Sequence, residues 1–292
     1  MKCLMDRVLL SLGHGYSARA LARLLAPQGW RIIGTTRSAE KADRLAAEGV
    51  EPLIWPGADL RPALADATHL LSSVGPDAEG DPVLRAADEA IAEAAPHLEW
   101  AGYLSTTGVY GDHQGRWVDE TTPPAPAKGR SDRRLEAERA WAAVPGLPLH
   151  VFRLSGIYGP GRSALDRLRA GTARRIVKEG QVFSRIHVDD IAQVLAASIA
   201  RPNPGAVYNV ADDEPAPADE VIAYAAELLG LPVPRAIPFE EAELSPMAAG
   251  FYAESRRVRN DRIKRELGVR LLYPDYRAGL QAILAAEKAG TV

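Results

Sequence analysis

Residues 11–21 read SLGHGYSARAL and stand between the apolar run RVLLSL and a stretch with helically spaced leucines, which predicts a strand-to-helix turn. Gly13 suits the tight turn after the strand, Gly15 lets the backbone approach a phosphate, and Ala18 is small enough for close helix packing. This G-x-G-x-x-A pattern predicts a dinucleotide-binding turn, with Tyr16 and Ser17 among its cofactor contacts. The alternative is a tight turn selected for packing alone.

Apolar runs alternate with helical patterns through the first half of the chain. They lie near residues 7–12, 30–36, 51–55, 68–74 and 99–105, and a sixth, LHVFRL, covers 149–154. Nearly continuous apolar strands are expected where helices cover both faces of a parallel sheet. The sequence therefore predicts an α/β fold with a doubly wound, mostly parallel sheet.

The alternation becomes irregular after residue 155. We predict a hairpin around RRIVKEGQVFSRI (174–186), a strand at AVYNVA (206–211), and helices near 189–200, 218–229 and 276–287. The expected organisation is a dinucleotide-binding Rossmann domain over residues 1–155. Residues 156–292 would form mainly a smaller α/β substrate cap, with some segments returning to the sheet.

Charge and cysteine content narrow the class of partner. The 292 residues include 35 basic and 38 acidic side chains, which gives no electrostatic footprint for nucleic acid or an anionic membrane. There is no membrane-length apolar run or signal-peptide pattern, and the single cysteine, Cys3, cannot form an internal disulfide. No cluster has zinc-ligand spacing. We expect a cytoplasmic protein with a small-molecule substrate and no metal.

The end of the second predicted strand reads GTTRSAEKA. Sites selective for NAD usually place an acidic residue here to bind the ribose 2′-hydroxyl. Thr36, Arg37 and Ser38 stand there instead, and Arg37 can pair with a 2′-phosphate. NADP is therefore the predicted cofactor, with NAD as the alternative; an ordinary arginine at a helix start is the other interpretation.

Six stretches in order carry a family resemblance: GHGYSAR, ADLRPAL, YLSTTGVYGD, RLSGIYGPGR, SRIHVDDIA and YNVADDEP. Over about residues 7–214 the chain resembles the extended and atypical short-chain dehydrogenases/reductases, the NAD(P)-dependent epimerase/dehydratase group. The resemblance implies cofactor contacts after the third, fourth and sixth strands. These are Asp59 and Leu60 at the adenine, Ser73, Val74 and Gly75 along the pyrophosphate and ribose, and Leu154 and Ser155 beside the nicotinamide.

The resemblance also implies a reaction centre. In this superfamily a serine or threonine polarises the substrate oxygen, and the tyrosine of a Tyr-x-x-x-Lys motif transfers the proton. Thr106, four residues before Tyr110, matches the serine or threonine, although a hydroxyl run can also satisfy strand-end backbone groups. None of the nine tyrosines has a lysine four residues later.

The helix that should carry the motif reads KGRSDRRLEAERAW (128–141). Alignment on Glu138 places Arg134 at the lysine position and Arg130 at the tyrosine position. Alignment on Glu136 gives Asp132 and Lys128 instead, so neither register restores a tyrosine.

Arginine cannot replace a phenol, because it stays protonated and has no acceptor. Arg130, Arg133 and Arg134 share one helical face, which predicts either a site for a substrate phosphate or carboxylate or a solvated charged face.

Four further features have expected structural roles. Tyr110 and Tyr158 are expected to pack rather than to transfer protons, and His14 to lie at the surface. His187, Asp189 and Asp190 are taken as a helix start rather than a metal site. The basic run ESRRVRN (254–260) lies where sugar-nucleotide relatives hold a diphosphate; a solvated helix start is the alternative.

These observations leave two functional hypotheses. The first is an NADP-binding oxidoreductase or epimerase/dehydratase-like enzyme with an atypical active site, acting on a small carbonyl or sugar-nucleotide substrate. The second is a non-catalytic NADP(H) sensor that has lost turnover with the tyrosine. Many relatives are dimers through helices flanking the sheet, which leaves a homodimer open.

Overall fold

The computed structural model describes residues 7–290, apart from the side chains of residues 246 and 247; Cys3 lies outside that range. The strands are β1 (Val8–Leu12), β2 (Arg31–Thr36), β3 (Glu51–Ile54), β4 (His69–Ser72), β5 (Trp100–Thr106), β6 (Trp117–Val118), β7 (Leu149–Leu154), β8 (Gly156–Tyr158), β9 (Arg175–Val177), β10 (Arg185–His187), β11 (Val207–Val210), β12 (Ala236–Pro238) and β13 (Arg257–Val258). The helices are α1 (Tyr16–Leu25), α2 (Ala39–Ala47), α3 (Arg61–Asp66), α4 (Pro82–Ala94), α5 (Arg130–Ala142), α6 (Ala164–Arg169), α7 (Val188–Ala200), α8 (Ala218–Leu229), α9 (Pro246–Tyr252), α10 (Asp261–Leu267) and α11 (Tyr276–Lys288).

Seven of these strands form one parallel sheet in the order β3-β2-β1-β4-β5-β7-β11. The chain reverses its direction across the sheet between β1 and β4, and ligands of open α/β sheets bind at such a switch point. All five residues of β1 are buried, as expected for a strand covered on both faces. The prediction of a doubly wound parallel sheet is confirmed.

Two hydrophobic cores lie on opposite faces of the sheet. One joins the sheet to α1, α7 and α10 around Trp100 and Phe152. The other joins it to α3, α4 and α5 around Tyr103 and Trp141. Since both faces are packed, ligand access is directed to the strand ends.

The predicted hairpin at 174–186 is wrong. β9 and β10 do not pair with each other: β9 pairs with β12 and β10 with β8, both in parallel. Local alternation identified these three-residue strands, but it carries no information about a partner from a distant part of the chain. The predicted AVYNVA strand is β11, and it completes the main sheet beside β7.

An outer layer consists of the parallel pairs β8/β10, β9/β12 and β6/β13 together with α6, α8, α9 and α11. Leu165, Ile222 and Leu280 form its own core between α6, α8 and α11. This layer lies beyond the carboxyl end of β7, because β8 begins two residues after that strand. Among the helices of residues 7–290, none has the length and hydrophobicity needed to cross a membrane.

Candidate cofactor and substrate site

The turn after β1 requires a glycine at position 13. Gly13 has φ +75°, and a Cβ there would lie 3.0 Å from Val74 Cγ2 and 3.3 Å from the Val74 nitrogen. The Gly13 N–H donates to Thr35 Oγ1 at 2.7 Å, which fixes the turn on β2. Both the left-handed backbone and the close approach exclude a side chain.

The first turn of α1 is open to an anion. Gly15 is its N-cap and provides no side-chain cap, and the first turn has no acidic residue. A Cβ on Gly15 would meet only the Gly13 oxygen, at 3.7 Å, so the space above the turn is free. Ser17 and Ala18 are buried against the sheet. Uncapped N–H groups and the helix dipole together favour a bound phosphate.

The Tyr16 side chain is engaged elsewhere. Its hydroxyl donates to the Pro160 carbonyl at 2.9 Å, and the Arg162 guanidinium lies over its ring. Burial raises the pKa of Tyr16 to about 12. Only the backbone of Tyr16 is therefore available for a cofactor contact, while its ring connects the turn to the loop after β8.

His14 is buried, so the expectation of a surface position is wrong. Its side chain packs over β2, where a Cβ on Gly34 would lie 2.8 Å from His14 Cγ. Burial lowers the pKa of His14 to about 4. Neither ring nitrogen has a hydrogen-bond partner among residues 7–290. The neutral ring packs as an apolar group under the turn. It fits there because Gly34 has no side chain.

The three predicted cofactor contacts at the end of β2 differ in their interactions within the protein. Thr36 accepts a backbone hydrogen bond from Trp55 at 2.8 Å, and Ser38 caps α2 by accepting from the Lys41 N–H. Arg37 is exposed and makes no hydrogen bond or ion pair to any residue in the described part of the chain. Its guanidinium is free to meet a phosphate.

The predicted adenine contacts follow β3. Asp59 Oδ1 accepts from the Arg61 N–H at 3.0 Å, and Leu60 is buried beneath it. Both residues border a cleft of about 260 Å³ between residues 55–61 and 86–90. α4 departs from helical geometry within this cleft, at Ala87.

The remaining predicted cofactor contacts lie at the ends of β4 and β7. The Ser73 N–H donates to the Leu12 carbonyl at 2.8 Å, while Gly75 is exposed. The hydroxyls of Ser73 and Ser155 are buried without a partner in the described chain, and Leu154 is buried beside Ser155. Unsatisfied hydroxyls at strand ends, a cradle that a Cβ would fill and an uncapped helix fit a dinucleotide.

Thr106 is the last residue of β5, at the carboxyl edge of the sheet. Its Oγ1 accepts from the Gly108 N–H at 3.1 Å and so starts the 3-10 turn at residues 107–110. This bond uses an acceptor site and leaves the hydroxyl proton available for donation. The backbone-satisfying role weighed from the sequence is therefore present, and it is compatible with a catalytic one.

The arginines of α5 do not act as one group. Arg134 Nη1 donates to the Leu104 carbonyl at 2.9 Å and to the Tyr103 hydroxyl at 3.2 Å. Arg130 is exposed and has no partner in the described residues. Arg134 thus reinforces the sheet edge. The guanidinium groups of the exposed Arg130 and the half-buried Arg133 form no hydrogen bond or ion pair in the described chain, and Arg133 Nε is buried.

A buried ion pair fixes the register of α5. Arg153 on β7 binds Glu138, with Nη2 to Oε2 at 2.8 Å, and Ser105 donates to the same carboxylate. Arg153 also donates to the Tyr110 hydroxyl at 3.0 Å, and that hydroxyl donates to Asn209 Oδ1 at 2.8 Å. Glu138 therefore faces the interior, while Glu136 is exposed.

Tyr110 and Tyr158 both have packing roles in the structure. Tyr110 is fully buried in the Glu138–Arg153 network. Tyr158 donates to the Asp275 carbonyl at 3.3 Å, and burial raises its pKa. Neither phenol is free to exchange a proton with a substrate.

The segment around His187 starts α7. His187 is the N-cap, with Nδ1 accepting from the Asp189 N–H at 3.2 Å. Asp190 accepts from the backbone of Leu272 at 2.7 Å and Tyr273 at 3.1 Å, and burial raises its pKa to about 6. The helix-start prediction fits, although the cap is the histidine rather than a carboxylate.

The basic run at 254–260 contains the two-residue strand β13 and ends at Asn260, the N-cap of α10. Arg256 donates to the Gly111 carbonyl at 2.7 Å, and Arg257 donates to that of Gly115. These bonds attach the run to the loop before β6. Two of its arginines are thereby occupied by backbone and are not free for a diphosphate.

Sequence reasoning missed the charged residues that organise the interior. Arg153 lies within the apolar strand LHVFRL, and a charge inside such a run is the signal that could have revealed a buried pair. Arg185 in the outer layer, which donates to the Phe183 and Ala216 carbonyls, gave no comparable signal, since its surroundings depend on tertiary packing.

The sheet order, the switch point and the glycine turn define a Rossmann-fold protein. No family model matches the chain. A solved structure of a conserved protein of unknown function from Silicibacter pomeroyi is 62% identical over 97% of this chain and 100% of its own, with a TM-score of 0.92. The structure of a putative NAD-dependent epimerase/dehydratase from Methylobacillus flagellatus is 30% identical, with 97% and 99% covered and a TM-score of 0.72. The chain therefore belongs to the NAD-dependent epimerase/dehydratase family, within the short-chain dehydrogenases/reductases that its motifs resemble.

Two further proteins are similar to this chain. Protein YeeZ of Escherichia coli is 28% identical over 279 residues, which cover 90% of this chain and 95% of YeeZ. The human epimerase family protein SDR39U1, solved with NADPH, has a TM-score of 0.75 at 21% identity, with 96% of this chain and 99% of its own covered. The second likeness concerns the fold alone.

Proposed function

We propose that this protein is an NADP(H)-binding oxidoreductase or epimerase/dehydratase-like enzyme that acts on a small molecule. The observation that carries the proposal is the pairing of the uncapped first turn of α1 with the unpartnered Arg37 at the end of β2. The first supports a pyrophosphate and the second an adenosine 2′-phosphate. The NADPH in the SDR39U1 structure supports the same assignment.

In this proposal residues 1–155 provide the cofactor domain and residues 156–292 mainly the substrate cap. The cofactor contacts are the glycine turn, residues 36–38, Asp59 and Leu60, residues 73–75, and Leu154 and Ser155. Substrate lies between the carboxyl edge of the sheet and the outer layer, since β8 continues from β7 into that layer.

Bound NADP(H) supplies the hydride-transfer chemistry. Thr106 orients the substrate oxygen by donating its hydroxyl proton while the Gly108 N–H holds its oxygen. Arg134 is a positioning residue that holds the ends of β4 and β5. Arg130 stays available for a substrate anion. Since Tyr110 and Tyr158 are engaged, the proton comes from water or the substrate.

The test is a titration of purified protein with NADPH and with NADH, in which binding is monitored by nicotinamide fluorescence. Arg37→Asp should weaken NADPH binding at least tenfold and leave NADH binding within twofold, because a carboxylate repels the 2′-phosphate. Arg44→Asp, an exposed change on α2, is the matched control and should alter neither. Equal loss of both cofactors in Arg37→Asp would contradict NADP selectivity, and absence of binding to wild type would remove the proposed function.

A non-catalytic NADP(H) sensor is the second candidate. It is favoured by the absence of a tyrosine on α5 and by the engaged hydroxyls of Tyr110 and Tyr158. Screening carbonyl and sugar-nucleotide compounds for NADPH oxidation separates the two. Turnover that Thr106→Ala abolishes supports the enzyme, whereas tight NADPH binding without turnover across the screen supports the sensor.

A further inference from the structure

An open groove of about 410 Å³ lies in the outer layer, at the amino ends of the paired strands β9 and β12. It is lined by residues 173–175, by residues 234–237 and by Glu241 from the 3-10 turn that follows β12. None of these residues belongs to the proposed cofactor contacts or to α5. The proposed function therefore assigns no role to this groove.

The groove concentrates positive charge. Its lining carries three guanidinium groups and one carboxylate, those of Arg174, Arg175, Arg235 and Glu241, so positive charges exceed negative ones. The whole chain has the opposite sign, with a formal net charge of -3. A local excess of positive charge attracts anions over a distance that depends on the ionic strength.

Two of the three arginines have donors without a partner. Arg175 Nε is buried and makes no hydrogen bond in the described chain. Arg235 is exposed and forms no hydrogen bond or ion pair to any described residue. Arg174 differs, because its Nη1 donates to the Glu243 carbonyl. A buried donor without a partner is costly unless a ligand or water binds it, so Arg175 and Arg235 are the groups available to an anion.

The nearby carboxylates leave these donors available. Arg175 Nη2 lies 3.9 Å from Asp219 Oδ2, a separation longer than a hydrogen bond. Glu241 is exposed and forms no ion pair within the described part of the chain. The Arg175 guanidinium thus keeps its capacity for paired hydrogen bonds to a ligand.

The rest of the lining is small and aliphatic. It consists of Ala173, Pro234, Ala236 and Ile237. Ala236 lies directly opposite Arg175 in the pairing of β12 with β9, so apolar surface adjoins the guanidinium group. This combination suits a ligand that carries its charges on a short aliphatic body.

We propose that this groove binds a small dianion with an aliphatic body, a dicarboxylate or a phosphate monoester, through Arg175 and Arg235. Guanidinium groups bind carboxylate and phosphate oxygens through paired hydrogen bonds. Two available guanidinium groups match two negative charges. The groove shares no residue with the proposed cofactor site, so dianion binding is measured on the cofactor-free protein and does not depend on the proposed function.

Calorimetric titration of the purified full chain with glutarate, propyl phosphate and the monoanion butyrate, at constant ionic strength, tests the proposal. Glutarate or propyl phosphate should bind at least tenfold more tightly than butyrate, and the tighter of the two identifies the charged group. Arg175→Met and Arg235→Met should each weaken that binding at least tenfold. Arg270→Met is the matched control, an exposed arginine outside the lining with no partner in the described chain, and it should have no effect.

Glu241→Gln provides a test that misfolding cannot imitate. It removes a negative charge from the lining and should strengthen dianion binding about threefold. Unchanged or weaker binding in this variant would contradict a site inside the groove.

Two other results overturn the proposal. The first is butyrate binding as tight as that of both dianions, which the wild-type protein alone reveals. The second is a loss in Arg270→Met as large as in Arg175→Met and Arg235→Met. Failure of NADPH to bind, with dianion binding retained and dependent on Arg175, removes the proposed function and keeps the groove; the reverse pattern removes the groove and keeps the proposed function.

Discussion

The glycine turn after β1 and the Glu138–Arg153 pair between α5 and β7 lie at the same edge of one sheet. They differ in whether their polar groups have partners within the protein. Around the turn, the α1 N–H groups, the Ser73 hydroxyl and Arg37 have no side-chain partner in the described chain. At α5, Glu138 and Arg153 are buried and bound to each other.

The polar groups around the turn are left for a ligand to bind, whereas those at α5 are bound within the protein. Buried polar groups without partners are costly unless something binds them. On α5, Arg130 is exposed, and the nearby Tyr110 belongs to the internal network. Polar groups around the turn therefore remain available to a ligand, whereas Tyr110 contributes to stability.

The largest expected effect comes from breaking the network. Glu138→Ala leaves Arg153 buried and uncompensated and should lower the free energy of unfolding by about 3–5 kcal/mol in urea denaturation. Glu136→Ala, two residues away on the exposed side of α5, is the control and should change it by less than about 0.5 kcal/mol. Equal effects of the two changes would refute an internal network.

Acidic pH should lower the stability of the protein through His14, which packs under the glycine turn. Its folded pKa of about 4 lies below the unfolded value of 6.5, so the unfolded chain binds more protons between those pH values. The His14 contribution is complete above pH 6.5 and falls by about 2 kcal/mol at pH 5. The stability loss between pH 7.5 and pH 5 should be smaller by that amount in His14→Leu; an unchanged loss would exclude this role.

A side chain added at Gly13 should weaken cofactor binding, whereas the accompanying loss of stability is expected at any glycine with a positive φ. Gly13→Ala should lower stability by about 1–2 kcal/mol through its positive φ and weaken NADPH binding at least tenfold. Gly29→Ala has a similar φ of +80° with open space around it, so it should share the stability loss without the binding loss. Unimpaired NADPH binding by Gly13→Ala would place the cofactor elsewhere.

The smallest expected effect is at Arg130, the exposed first residue of α5. Arg130→Gln removes an exposed guanidinium with no partner in the described chain and should change stability by less than about 0.5 kcal/mol. Arg134→Gln, one turn later, removes hydrogen bonds to Leu104 and Tyr103 and should cost more, about 1–3 kcal/mol by chemical denaturation. Similar losses would mean that the two arginines act together.

The sequence by itself determined the parallel sheet, the glycine turn and the missing tyrosine. These features have local signals, since continuous apolar runs, Gly13 and the residue four places after each tyrosine are read from neighbouring positions. The seven-strand sheet and the positive φ of Gly13 confirm the first two.

Only the tertiary structure decided which polar groups are free. His14 is buried because Gly34, twenty residues away, leaves room for it, and β9 and β10 pair with distant strands instead of each other. Arg37 and Arg153 are the same residue type, yet one is unpartnered and the other lies beside Glu138 inside the protein. Burial and pairing depend on contacts between remote segments, which local residue patterns do not encode.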